Sequence, residues 1–262
     1  MAVLSVDLAM RRWSDLGVVV LSRALKYLPA SSVACEILPL APPEPGDGGP
    51  VDPEILAGRL NHLCALRGIR ILLLDGPQAW KSASSGARHA RGCERKLNTA
   101  AKTGLPGMVK PGTCRSFAEF SMDVYDALAR RGWRRLATRQ QPDSPQAARD
   151  QERVLVESYP HAAWKSLGLK PLPAKRRARI SDLAEAYGAL RAVAPFTTNR
   201  PPNHDQLQAI VGGLPGLALE EQSPSGLQIV GAPPRREQGH WREGFIVLPL
   251  PPRTALNIRW LQ

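Results

Sequence analysis

Aromatic residues make up only 5% of this 262-residue chain. That is too few for the platform of rings on which single-strand-binding proteins stack successive bases. Acids are scarce as well: 23 Asp and Glu stand against 35 Lys and Arg, a formal net charge of +12. A surplus of that sign suits an anionic partner, of which nucleic acid is the commonest, although a composition rich in Arg, Ala and Pro produces the same surplus without one. The four cysteines, Cys35, Cys64, Cys93 and Cys114, lie far apart and form no CxxC pair. This argues against a zinc site or a disulfide framework and fits a reducing, cytoplasmic setting. No apolar run reaches the roughly 18 residues of a membrane span. The apolar start carries Asp7 with no basic stretch before it, unlike a signal peptide. A P-loop, a GxGxxG fingerprint, an HExxH helix and a GxSxG elbow are all missing, so the common nucleotide-binding, zinc-hydrolase and serine-hydrolase classes lack their motifs.

What is present is 43% hydrophobic residues, enough for one core near the upper size for a single domain. The most informative stretches are apolar runs that end on or contain an acid. Arg70–Trp80 opens with Ile71–Leu74, reaches Asp75 and is broken by Gly76-Pro77. Four branched apolar residues in a row read as a strand buried on both faces, and Gly-Pro ends it because proline has no N–H for the ladder. Asp75 is thereby predicted at the C-terminal end of a central strand, the edge where open α/β sheets bind ligands. Val3–Ala9 repeats the pattern around Asp7, and Val154–Pro160 repeats it around Glu157.

In chain order, residues 2–9 and 18–22 read as an antiparallel hairpin across a turn at 13–17, and 33–40 as a third strand. Asp52-Pro53 caps a helix that Gly68 ends, and the strand to Asp75 follows. Residues 78–115 are long, polar and basic, a segment functional or disordered more often than structural. Ser116-x-x-Glu119 reads as a capping box opening a helix through Phe117, Phe120, Val124 and Leu128. Pro142–Pro145 reads as a loop, Arg153–Tyr159 as a strand, and 161–167, 182–193 and 206–214 as helices. Residues 227–230 and 245–248 read as a late pair of strands. There is no internal repeat. The order predicts a mixed α/β sheet, its first three strands antiparallel and its later ones joined by helices. The expected organisation is one domain over residues 1–262, with a basic loop insertion at about 78–115 and a C-terminal extension from about 216.

Four acids stand out by position: Asp7, Asp75, Glu157 and Asp205. If their elements are neighbours, the carboxylates converge, repel and raise one another's pKa, a cost that a bound cation removes. Hard oxygen donors favour Mg²⁺ or Mn²⁺, and such ions promote phosphodiester hydrolysis. Plainer roles are open to three of them: Asp75 as a turn residue, Glu157 as the partner of an arginine such as Arg153, and Asp205 as a charge at a helix N-terminus. Asp7, mid-strand where aspartate is disfavoured, has the fewest alternatives. The basic residues of 88–110 and 175–179 suit a phosphate backbone or plain solvation.

Several of these stretches together resemble one family. Val6-Asp7-Leu8-Ala9, Leu74-Asp75-Gly76-Pro77-Gln78, Arg91-Gly92-Cys93-Glu94-Arg95, Glu157-Ser158-Tyr159-Pro160-x-Ala162-Ala163-Trp164, His204-Asp205-x-Leu207-x-Ala209 and Glu243–Pro249 occur in a single order. In this the chain resembles domain-of-unknown-function family 429, whose members are described as predicted nucleases with a ribonuclease-H-like fold. The resemblance implies a ribonuclease-H-like mixed sheet with Asp7 and Asp75 on adjacent strands. It implies Asp7, Asp75, Glu157 and Asp205 as catalytic and metal-binding residues for Mg²⁺ or Mn²⁺. The substrate-binding candidates are the basic residues Arg88, Arg91, Arg95 and Lys96, with nucleic acid the expected partner. The family pattern commonly carries a further aspartate where this chain has Gln208, and Cys-Asp-Arg where it has Cys93-Glu94-Arg95. The readings are therefore a metal-dependent nuclease, a non-catalytic nucleic-acid-binding protein of the same fold, and a nucleotide-binding phosphotransferase-like protein.

Overall fold

Three apolar strands lie side by side and parallel at the centre of the molecule: β1 (Ala2–Asp7), β4 (Ile71–Asp75) and β6 (Arg153–Ser158). The computed structural model describes residues 1–23, 33–40, 42, 49–137, 153–221 and 226–251. The expected loop at 142–145 lies outside them. On the far side of β1, β2 (Gly17–Arg23) and β3 (Val33–Ile37) add antiparallel, and β7 (Phe196–Thr198) closes that edge parallel to β3. On the other side β9 (His240–Pro249) pairs with the end of β6, and β8 (Leu227–Glu237) pairs antiparallel with β9. The short β5 (Trp133–Arg135) takes the same flank of β6 at its beginning. The run β3-β2-β1-β4-β6, antiparallel then parallel, is the ribonuclease-H-like order.

Both faces of the sheet are covered, as parallel strands require. Even-numbered residues of β1 and β4 (Leu4, Val6, Leu72 and Leu74) pack with Leu155 against α1 (Pro53–Arg67) and α3 (Arg115–Arg130). Odd-numbered residues (Val3, Ile71 and Leu73) pack with Val156 against α4 (Pro160–Ser166), α5 (Ile180–Val193) and α6 (His204–Glu220). The start of α1 follows its sequence signature: Asp52 accepts from the N–H groups of Glu54 and Ile55, and Gly68 ends the helix at φ 62°. α3 departs from its signature. Its cap is Cys114, and Glu119 pairs with Arg115 rather than reaching back to Ser116. α6 runs on through Pro215 to Glu220, so residue 216 falls inside a helix, and any C-terminal extension begins after it.

α6 sits unusually close to the sheet because it presents glycine there. A Cβ on Gly213 would come within 2.7 Å of Ser5 and Leu21, and one on Gly216 within 3.2 Å of Val3. At its start, a Cβ on Gly17 of β2 would collide with the Asp205 carbonyl. Gly17 is the register partner of Asp7. The missing side chain is what lets the first turn of α6 reach the end of β1. Among the described residues no helix is long and apolar enough to cross a membrane.

Candidate functional site

Asp7 and Asp75 are direct register partners on parallel strands. Residues opposite each other on neighbouring strands point to the same face, so both carboxyls lie on the α6 side at the C-terminal edge of the sheet. They are hydrogen-bonded to each other. Burial raises Asp7 well above the carboxylate range, and the charge of Asp75 and its hydrogen bond raise it further; Asp205 adds to the effect and Lys175 opposes it. Burial likewise raises Asp75, to about 6, with the charge of Glu157 adding to this and its bond to Asp7 opposing it. Two carboxylates bond to each other only by sharing a proton.

Asp205, in the first turn of α6, is buried, and its charge is felt at Asp7. Its carboxylate is held by Lys175 and by His204 Nδ1 at 3.3 Å. Lys175 also bonds Asp15 at 2.7 Å, and His204 Nε2 lies 2.9 Å from the Pro173 carbonyl. The segment carrying Lys175, with exposed Arg176, Arg177 and Arg179, is thereby strapped across the start of α6. Gln208 accepts a 2.8 Å bond from Trp164 Nε1, which ties α6 to α4.

Glu157 does not join this group. In β6 the partner of Asp75 is Ser158, while Glu157 stands beside Leu74. The two-residue alternation of a strand turns it to the α3 face. There it receives both terminal nitrogens of Arg91, at 2.7 and 2.6 Å, and the Gln78 N–H at 3.1 Å. The expectation of an arginine partner holds, but the partner is Arg91, not Arg153; Arg153 binds Asn61 and the Arg131 carbonyl. Arg91 itself is only 1% exposed and also bonds Glu94 through Nε at 2.9 Å. A guanidinium enclosed in this way cannot position a nucleic-acid backbone, so Arg91 is removed from that role. Arg88, Arg95 and Lys96 are exposed.

The Arg91–Glu157 pair belongs to a buried network that orders residues 78–115. Glu94, in the short α2 (Gly92–Lys96), accepts from the N–H and hydroxyl of Thr103, at 3.0 and 2.8 Å. Glu243 of β9, held at φ 59°, accepts from the N–H groups of Ser82 and Gly92, both at 2.8 Å. Gln78 donates to the Phe245 carbonyl at 3.0 Å. The segment expected as a free basic loop is therefore anchored by three buried carboxylates. Glu94 and Glu243 were not singled out from sequence as anchors. Both stand in the motifs that carry the family resemblance, but nothing local marked them as anchors.

Among the described residues, no three His, Cys, Asp or Glu side chains close on one point as metal ligands would. The four-carboxylate cluster expected from sequence thus resolves into a bonded pair, a third acid tied to a lysine, and a fourth on the opposite face. The pair still fits a hard divalent cation: its donors are carboxylate oxygens, and the shared proton marks where positive charge is wanted. Over the same strand ends a cavity of about 270 Å³ runs from Asp75, Glu157 and Ser158 past Tyr159 and Phe117 to Thr113 and Cys114, with Arg91 and Glu94 also in its wall.

The family described as a protein of unknown function, DUF429, matches residues 33–223. That span takes in Asp75, Glu157 and Asp205 and leaves out Asp7 and the β8–β9 hairpin. No curated protein matches the chain. Among solved structures, the chain is similar to Thermus thermophilus RuvC with a TM-score of 0.38 and 11% identity, over 85% of this chain and 98% of that one. It is similar in the same degree to T. thermophilus RuvC in complex with a Holliday junction substrate, with a TM-score of 0.37 and 11% identity, over 85% of this chain and 97% of that one.

Proposed function

The chain belongs to the DUF429 family, and from that premise we propose that it is a nuclease using a carboxylate-bound Mg²⁺ or Mn²⁺ ion to hydrolyse phosphodiester bonds. The observation that carries this is the Asp7–Asp75 pair: two buried acids in direct register at the C-terminal edge of parallel strands, close enough for each to shift the other's titration. Among the described residues no arginine is paired with either. A chain using these groups only for structure gains nothing by crowding them, since each raises the cost of ionising the other.

Asp7 and Asp75 would hold the ion, and Asp205 would face it from the start of α6, oriented by Lys175 and His204. When bound, the ion supplies Lewis-acid charge to a phosphate oxygen. Lys175 gives Asp205 a fixed direction and adds positive charge at the same edge. Arg88, Arg95, Lys96, Arg176 and Arg177 are exposed and suit the backbone of a nucleic acid. We read residues 1–262 as one domain, with 78–115 as a pinned insertion between β4 and α3.

The test is purified protein with Mn²⁺ against labelled single strands, duplexes and hybrids, beside Asp7→Asn. Cleavage is expected to fall by roughly a hundredfold or more in the variant, since a Lewis-acid contact is worth several kcal/mol at about 1.4 kcal/mol per tenfold. Equal rates in the two proteins would remove the proposal. One observation favours a second reading, binding without cutting: Gln208 is bonded to Trp164, and Asp205 is held by a lysine. On that reading, affinity survives both chelation and Asp7→Asn.

A further inference from the structure

The cavity beside Asp75 is mostly apolar in surface, with the charged Arg91, Glu94, Lys102 and Glu157 also in its wall. Phe117 and Tyr159, both partly buried, line it, in a chain where aromatic residues are few. Pro77 and Ala118 add apolar surface, and Thr99 and Thr113 add polar atoms. Its outer wall, residues 99–114, is fixed rather than loose. Lys102 N–H donates to Thr113 Oγ1 at 3.1 Å, Lys110 N–H donates to the Lys102 carbonyl at 3.2 Å, and Thr103 bridges to Val109. A largely apolar, partly aromatic concavity with a few polar groups is the usual form of a small-molecule site.

We propose that this cavity is a binding site for a single nucleoside unit, whose attached phosphate lies at Asp75. The inference rests on the nuclease reading for what lies at Asp75, and it adds a substrate class. At about 270 Å³ the space is at the small end of ligand sites, commonly about 300–1,000 Å³. It holds one nucleoside and neither a base pair nor two stacked bases. The two aromatic residues in the lining suit a base, since every base has a face to stack. The substrate is then a strand end or a nucleotide extruded from its stack, not uninterrupted double helix.

Cys114 supplies a readout that needs no catalysis. It lines the cavity and is exposed, while Cys35, Cys64 and Cys93 are buried. Hydrogen bonds from Ser116 and the Phe117 N–H lower its thiol from the ordinary range, whereas burial pushes the other three up to about 12. Iodoacetamide will therefore modify Cys114 first. The full chain is alkylated in Ca²⁺, so that a phosphate at Asp75 meets a cation, and modification is followed by mass spectrometry. The additions are a mixture of nucleoside 5′-monophosphates, a single-stranded pentanucleotide, or a duplex of the same sequence closed at both ends by hairpin loops. Monophosphates and pentanucleotide are expected to slow modification about tenfold, the size of one stacked base, and the closed duplex not at all. Phe117→Ala is expected to abolish protection, as is Tyr159→Leu, which keeps apolar bulk in the lining and removes the ring. Failure of the monophosphates and pentanucleotide to protect, equal protection by the closed duplex, or protection that survives in both variants would each overturn the assignment. Loss of Mn²⁺-dependent cutting in the first assay leaves this result untouched, so the two proposals fail separately.

Discussion

At the scale of single residues, the Asp7–Asp75 pair sets a stability cost that a cation relieves. Both carboxyls are raised when folded, Asp75 to about 6. A folded pKa above the unfolded one means that the native state binds the extra proton, so the contribution is favourable at low pH and is lost as pH rises through the folded value. Without divalent cation, the protein is expected to lose stability between about pH 4 and pH 6–7. Asp75→Asn should melt higher than wild type at pH 7, by on the order of 1–3 kcal/mol. Saturating Mn²⁺ should reverse the order, since binding to the native state alone adds about 2.7 kcal/mol at a hundredfold excess over the dissociation constant. Thermal melts of both proteins at pH 5 and pH 7, with and without Mn²⁺, check the prediction. An Asp75→Asn variant that melts lower than wild type in EDTA at pH 7 would contradict it.

At the scale of elements, the insertion between β4 and α3 hangs on one buried guanidinium. Arg91→Ala strands Glu157 and Glu94 without a counter-charge, and breaking such a pair costs about 3–5 kcal/mol. Arg91→Lys will not restore it, because one ammonium cannot replace a fork that bonds two carboxylates. Denaturant unfolding should show the loss in both variants, and trypsin should cut first at Arg95 and Lys96. This role was hidden in the sequence. A basic, glycine-bearing stretch reads as solvated surface until the partners of its charges are known, and those partners, Glu157 and Glu243, lie 66 and 151 residues from their contacts in the insertion. Where local chemistry decides, the reading was close: the Asp52 cap, the end at Gly68 and the apolar run into Asp75 all form as written. Glu157 was assigned to the acid edge because its strand looked like the other two. Only register, a tertiary property, decides which of two adjacent residues faces α6. The short β5 and β7 and the full length of the β8–β9 hairpin carry too few alternating apolar residues to be legible at all.

At the scale of the whole molecule, the +12 charge becomes useful only where it is exposed and unpaired. Arg176, Arg177 and Arg179 stand exposed on the strap that Lys175 fastens over α6. Arg176→Ser and Arg177→Ser should each weaken nucleic-acid binding at every sequence and lower the slope of log affinity against log salt by about 1. Fluorescence anisotropy over a salt series checks this, and an unchanged slope would place the contact elsewhere. Glu243 has an effect of a different kind. It grips Ser82 from 161 residues further along the chain, so this anchor must wait for β9 to be made. At about 5–20 residues per second, a ribosome leaves that interval open for roughly 8–32 s. A nascent chain with its central strands already paired would meanwhile hold the insertion through the Arg91 network with Glu157 and Glu94, and a protein truncated before β9 would lack the hold on Ser82 and Gly92.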